Sequence, residues 1–161
     1  MGRRQKKRLL DKGYLFVGVS PYIYLTRKKN DGFFYQTRES GEFVTRVYDD
    51  ILYAIANAST RFPKHREEPH VRPLLLAVRC APYVGSMSNG RVKAISYNEG
   101  PNGIEIDGKI ELEDLVLILS EEDLRGVYPN ASAEVIKTFK ETFHQSSRAS
   151  ALEQPSYTPA P

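Results

Sequence analysis

Gly41-Glu42-Phe43-Val44-Thr45-Arg46-Val47-Tyr48-Asp49-Asp50-Ile51-Leu52-Tyr53-Ala54-Ile55-Ala56-Asn57-Ala58 reads as a short strand that turns at Thr45 into an amphipathic helix. The Thr45 hydroxyl is a good N-cap, because it can accept from a free backbone N–H two or three residues on. Asp49 and Asp50 then fall in the first turn, where the positive end of the helix dipole favours carboxylates. Val47, Tyr48, Ile51, Leu52 and Ile55 recur at helical spacing and make one apolar face. Ala54, Ala56 and Ala58 keep the helix slim enough to lie close to a sheet. A strand feeding such a helix is the joint of an α+β domain.

Upstream of that joint, residues 1–12 read as a basic, flexible leader. Gly13 to Thr26 is rich in β-formers, and Pro21, which cannot donate to a ladder, divides it into two short strands. Lys28-Lys29-Asn30-Asp31-Gly32 has turn composition, and Phe33 to Thr37 is the next strand. Downstream, the helix ends around Ser59 to Phe62. Leu74 to Cys80 is the best central strand, continuous enough to be buried on both faces. Arg91–Tyr97 and Ile104–Ile106 alternate as strands. The alternation continues through Lys109–Leu112, and Leu115–Leu119 is a further apolar run. Ser120 caps a short acidic helix, and a last helix spans about Ala131 to His144 with Val135, Ile136, Phe139 and Phe143 on one face. The expected organisation is a leader (1–12), one domain (13–144) and a disordered Ser/Pro/Ala-rich tail (145–161).

A chain of 161 residues with 40% hydrophobic content can bury a core. No apolar run approaches the ~18 residues of a membrane helix, and no signal-peptide core follows the basic start. The lone Cys80 lies in an apolar run, so it reads as a buried small hydrophobe in a cytoplasmic, reduced setting. Residues 1–46 carry eleven Lys/Arg against four Asp/Glu, and residues 99–123 one Lys against nine Asp/Glu. That asymmetry steers an anionic partner to one face. His65 and His70 flank Glu67 and Glu68, but the spacing fits no tight ligand pattern, so no metal is expected. Walker and dinucleotide-binding glycine motifs are absent.

The order of these pieces resembles the ADP-ribosyltransferase superfamily, whose members bind NAD in a cleft between two small sheets. Leu15-Phe16-Val17-Gly18-Val19-Ser20 resembles the opening strand with its His-Gly-Thr type motif, Val17 standing where the histidine would be. Glu42-Phe43-Val44-Thr45, running into a helix with Ala54, is similar to the strand that lines the nicotinamide pocket. Ser86-Met87, Gly90, Tyr97 and Asn102-Gly103-Ile104-Glu105-Ile106, ending in Ile110 and Leu115, look like the closing section of the RNA 2'-phosphotransferase branch. The resemblance spans about residues 14–118. That branch's separate RNA-binding domain is represented here by the twelve-residue leader alone. Its phosphate-binding arginine is not evident, since Asn98 and Glu99 follow Tyr97. The resemblance therefore implies a split-sheet NAD cleft and ADP-ribose transfer to a protein, RNA or DNA acceptor, more readily than true 2'-phosphate chemistry.

The chemistry then needs a carboxylate beside the ribose, where breaking the bond to nicotinamide builds positive charge. The resemblance assigns that role to Glu105, with Glu111 the second candidate. Phe43, Tyr24 or Tyr48 would stack on nicotinamide, with Val17, Gly18, Ser20 and Thr45 around it. Arg27, Arg38 and Arg46 are placed to bind the pyrophosphate through bidentate hydrogen bonds. Each has an ordinary alternative: aromatics in the core, arginines in solvent, Glu105 alternating outward between Ile104 and Ile106. Two other readings stay open. One is a catalytically inactive relative that binds a nucleotide or a partner. The other is a nucleic-acid module in which the leader binds phosphates and Tyr14, Tyr22, Tyr24 and Tyr35 stack bases. Acceptor and oligomeric state are not legible.

Overall fold

The structure, a computed structural model, describes residues 3–29, 32–37, 39–61, 72–84, 92–94 and 103–145. It is α+β, built on an antiparallel sheet with helices on both faces. The strands are β1 (Tyr14–Val19), β2 (Lys28–Lys29), β3 (Gly32–Phe33), β4 (Gln36–Thr37), β5 (Phe43–Tyr48), β6 (Leu74–Arg79), β7 (Val92–Ala94), β8 (Gly103–Asp107) and β9 (Leu115–Ile118). The helices are α1 (Arg3–Lys12), α2 (Pro21–Arg27), α3 (Ile51–Arg61), α4 (Ala81–Val84), α5 (Glu121–Val127) and α6 (Ala133–Thr142).

The main sheet runs β7-β8-β5-β1-β6-β9, with β4 on the N-terminal end of β5, and β2-β3 form a separate ribbon. β1 pairs β6 along its whole length, and β5 pairs β8 from Val44 to Tyr48. Between β1 and β5, by contrast, the only register pair among the described residues is Phe16↔Tyr48. Two well-paired halves therefore meet at a narrow seam. Beyond it, Thr37↔Phe43 and Gln36↔Val44 show β4 occupying the edge of β5.

Alternation along the strands sorts side chains into two cores. Leu15, Val17, Val19, Val47, Leu74, Leu76, Val78, Ile104 and Ile106 fill one, closed by Leu9 of α1 and by Tyr83 and Val84 of α4. Phe16, Leu75, Ala77 and Ile118 face the other way, under Ile51, Ala54, Ile55 and Ala58 of α3, Leu124 of α5 and Phe139 of α6. Leu74–Val78 is thus buried on both faces as its composition implied, with Arg79 exposed, in an antiparallel sheet because helices cover both sides. Ser120 and Ser132 cap α5 and α6 through Asp123 N and Val135 N.

Four local expectations change. Thr45 caps no helix. The strand continues to Tyr48 because β8 offers β5 a ladder, and α3 begins at Ile51, where Asp50 Oδ1 accepts from Leu52 N at 2.9 Å. Thr45 is buried and its hydroxyl accepts from Tyr35 N at 3.1 Å. Val47 and Tyr48 are consequently strand residues, and Leu52 is exposed.

The basic stretch expected as a flexible leader is α1. Leu9 is fully buried, Arg8 Nη1 reaches Asp49 Oδ2 at 2.5 Å, and Gly13 ends the helix at φ +88° with its N–H on Leu9 O. Pro21 opens a helix instead of separating strands. Ser20 accepts from Ile23 N, and proline suits the first helical position because its missing N–H would be unpaired there. The segments around Phe33–Thr37 and Lys109–Leu112 are broken: Ile110 bridges Phe33, and a 3-10 turn follows at Leu112–Asp114. The His65/His70 loop, residues 85–91, Tyr97, Asn102 and the tail from 146 lie outside the described residues.

Candidate functional site

β8 carries Glu105 outward between the buried Ile104 and Ile106, and register sets it opposite Arg46 on β5 and Lys93 on β7. Arg46 Nη2 lies 3.8 Å from Glu105 Oε2, with side chains 37% and 21% exposed. The carboxylate and one candidate pyrophosphate ligand are thus neighbours. Phe43, two residues from Thr45 on the same strand, stacks on Phe34 at 4.2 Å between ring centroids, and Lys109 Nζ sits 5.4 Å from its ring. Tyr35 lies close by. Its backbone N–H donates to Thr45, its hydroxyl accepts from Arg61 Nη2, and the Arg61 guanidinium lies 4.9 Å from its ring. Burial pushes the Tyr35 hydroxyl above its ordinary pKa, while Arg61 and Arg27 pull it back. These groups share the half of β5 where β4 has replaced β1 as neighbour, but alternation puts Phe43, Thr45 and Tyr35 on one face of the sheet and Arg46 with Glu105 on the other.

The remaining assigned residues are committed elsewhere. Val17 is buried among aliphatic side chains. A Cβ at position 18 would lie 2.6 Å from Ala58 Cβ and 3.2 Å from Phe143 Cε1. The glycine is therefore filled by helix packing, where the resemblance reserved its space for a nicotinamide amide. Tyr48 is buried beside Tyr53 at 5.0 Å. Ser20 caps α2, and Tyr24 leans on Phe33 with Lys28 Nζ 5.2 Å from its ring. Glu111 is exposed ahead of the 3-10 turn, its N–H donating to Tyr83 Oη. Arg38 lies outside the described residues.

Cys80 is fully buried, and burial pushes its thiol up to about 12, with Asp49 adding to the push and Lys12 opposing it. A thiol in that state is no nucleophile. Among the described residues no group of His, Cys, Asp and Glu could hold a metal ion, and no helix is long and apolar enough to cross a membrane.

One feature escaped the sequence reading. At the other end of the β1–β5 seam a cleft of ≈ 470 Å³ opens between α1, the start of α3 and the α5–α6 connection. Lys12, Tyr14, Asp49, Leu52, Tyr128 and Asn130 are among its walls. The paired Asp49-Asp50 was its one sequence signal, and helix-capping chemistry accounted for both residues. Comparison with protein-family models, with curated proteins and with solved structures finds no match for the chain.

Proposed function

We propose that the chain binds NAD and transfers ADP-ribose to a protein or nucleic-acid acceptor, as an ADP-ribosyltransferase-like domain. The observation that carries this reading is the placement of Glu105 beside Arg46, on the half-sheet that opens away from β1 beyond Phe16↔Tyr48. NAD supplies the ADP-ribosyl group, with nicotinamide as the leaving group. Glu105 presents a carboxylate to the positive charge that develops on the ribose. Arg46 holds a pyrophosphate oxygen through its guanidinium. Phe43, the residue expected to stack on nicotinamide, is already stacked on Phe34 and alternates to the opposite face of β5 from Arg46. The fit is partial, because Val17, Gly18, Thr45 and Tyr48 are occupied by packing or internal hydrogen bonds.

That partial fit favours a second reading, a relative that binds without catalysis. There Glu105 and Arg46 are an ordinary cross-strand ion pair, worth roughly 0.2–1 kcal/mol. Nicotinamide release from NAD separates the two. Active protein releases nicotinamide, and Glu105→Gln lowers the rate by about a hundredfold or more while NAD affinity and thermal midpoint hold. Full activity in Glu105→Gln removes the assigned carboxylate. Absence of NAD binding at about 1 mM, the top of the usual KM range, removes the reading altogether.

A further inference from the structure

The cleft beside Asp49 is independent of the residues assigned to NAD. It lies where β1 begins and β5 ends, whereas Ser20 and Phe43 lie where β1 ends and β5 begins. Its walls are aromatic and aliphatic on two sides. Tyr14 and Phe16 come from β1, Ile51 and Leu52 from α3, and Tyr128 packs edge-on to Phe16 at 6.4 Å between centroids. Tyr128 and Leu52 are exposed at the rim, although both are large apolar side chains.

One polar group within this lining is unsatisfied. The Asp49 side chain is 0% exposed, its Oδ2 accepts from Arg8, and its Oδ1 has no hydrogen-bond partner among the described residues. A buried carboxylate oxygen without a donor is costly, and here it lies beneath the cleft wall, beside Arg8. Asp50 cannot supply that donor, because it has none and its own Oδ1 caps α3. The Lys12 ammonium is directed to Asp49 O at 3.3 Å.

Lys12 also belongs to a second, open groove along α1, shared with Arg4, Lys7, Arg8 and Asp11. Arg4, Arg8 and Lys12 follow one another at i, i+4 spacing, so they line one face of the helix. An aromatic slot thus continues, through Lys12, into a row of exposed cations.

We infer that this cleft is a nucleotide site. The base lies against Tyr14 and Tyr128, and the phosphate meets Lys12 and the basic face of α1. The volume suits such a ligand, since small-molecule pockets run from ~300 to ~1,000 Å³. Stacking provides sequence-tolerant affinity, and the cations provide the salt-dependent part. A free mononucleotide and the end of a single strand present the same chemistry.

Calorimetric titration with AMP, CMP, GMP and UMP, with ribose 5-phosphate as the baseless control, tests the site. At least one nucleotide should bind saturably, and ribose 5-phosphate roughly tenfold or more weaker, reflecting the lost stack. Tyr128→Ala, at an exposed position, should weaken binding about tenfold without moving the thermal midpoint. Lys12→Ala should weaken it and flatten its salt dependence. Tyr128→Ala should leave nicotinamide release from NAD unchanged, which keeps this site separable from the one proposed for NAD. A short single-stranded oligonucleotide that binds tighter than any mononucleotide assigns the strand end as ligand, and equal or weaker binding assigns the free nucleotide. Two results overturn the inference: no saturable binding by any of the four nucleotides or the oligonucleotide, or binding indifferent to both Tyr128→Ala and Lys12→Ala.

Discussion

Gly18 shows how a residue readable as functional is explained by its neighbours. Its lack of a side chain lets α3 and Phe143 close onto β1, and a methyl group there would stand 2.6 Å from Ala58 Cβ. Gly18→Ala should therefore destabilise the protein by about 1–3 kcal/mol, the usual cost of overpacking. The check is urea unfolding, with Gly18→Ala/Ala58→Gly recovering part of the loss. A single variant as stable as the parent would show that the helix is free to move away. Caps divide along the same line. The Ser120 hydroxyl meets an N–H three residues on, so position in the sequence was enough to read it, while Ser132 makes the same cap on α6 where the expected helix already began at about Ala131. The Thr45 hydroxyl meets an N–H ten residues back, across a strand pairing that local sequence does not encode.

At the scale of elements, α1 and α2 are where local reading failed and α5, α6 and β6 where it succeeded. Arg3 to Lys12 has two apolar residues among many cations, a composition typical of solvated tails. Among the described residues Leu9 is the apolar side chain that docks the helix, and Arg8 and Lys12 reach back to Asp49. Leu9→Ala should thus cost about 2–5 kcal/mol, as deletion of a buried leucine does, whereas a tail residue would cost nothing measurable. Amide exchange of residues 3–12 in the same variant should accelerate toward the unfolded rate. Pro21 was ambiguous for a physical reason: a residue that cannot donate suits both a strand break and the first turn of a helix, and Ser20 decides for the helix. β6 was legible because an unbroken apolar run needs cover on both faces, whichever elements supply it.

For the molecule as a whole, Cys80 links sheet, α1 and α4: its N–H donates to Gly13 O, and Val84 N donates to its carbonyl. Its thiol is pushed up to about 12 from an ordinary 9.0. Below 9.0 both folded and unfolded chains hold the proton, and between 9.0 and about 12 only the unfolded chain releases it. Global stability should therefore fall as pH rises through that window. Denaturant midpoints followed from about pH 8 to pH 11 check this, with a shallower fall expected in Cys80→Ala. Equal slopes would place the alkaline loss in other groups. Of the two sites, Glu105 was legible as a carboxylate in an alternating strand, but its neighbour Arg46 is 59 positions away in sequence and became one only through β5–β8 register. The cleft beside Asp49 was barely legible, because its walls come from three separated segments. The sequence alone determined the α+β class, the two-faced burial of Leu74–Val78, the two C-terminal helices with the Ser120 cap, and the inert thiol. Each of these follows from periodicity, polarity or hydrogen bonds within a few residues. Only tertiary structure decided the end of β5, the helical state of residues 3–12, the crowding over Gly18 and the gathering of Lys12, Tyr14 and Tyr128 around one cleft. Each of those depends on contacts between segments distant in the chain, whose free energy outweighs the local preferences of the residues concerned.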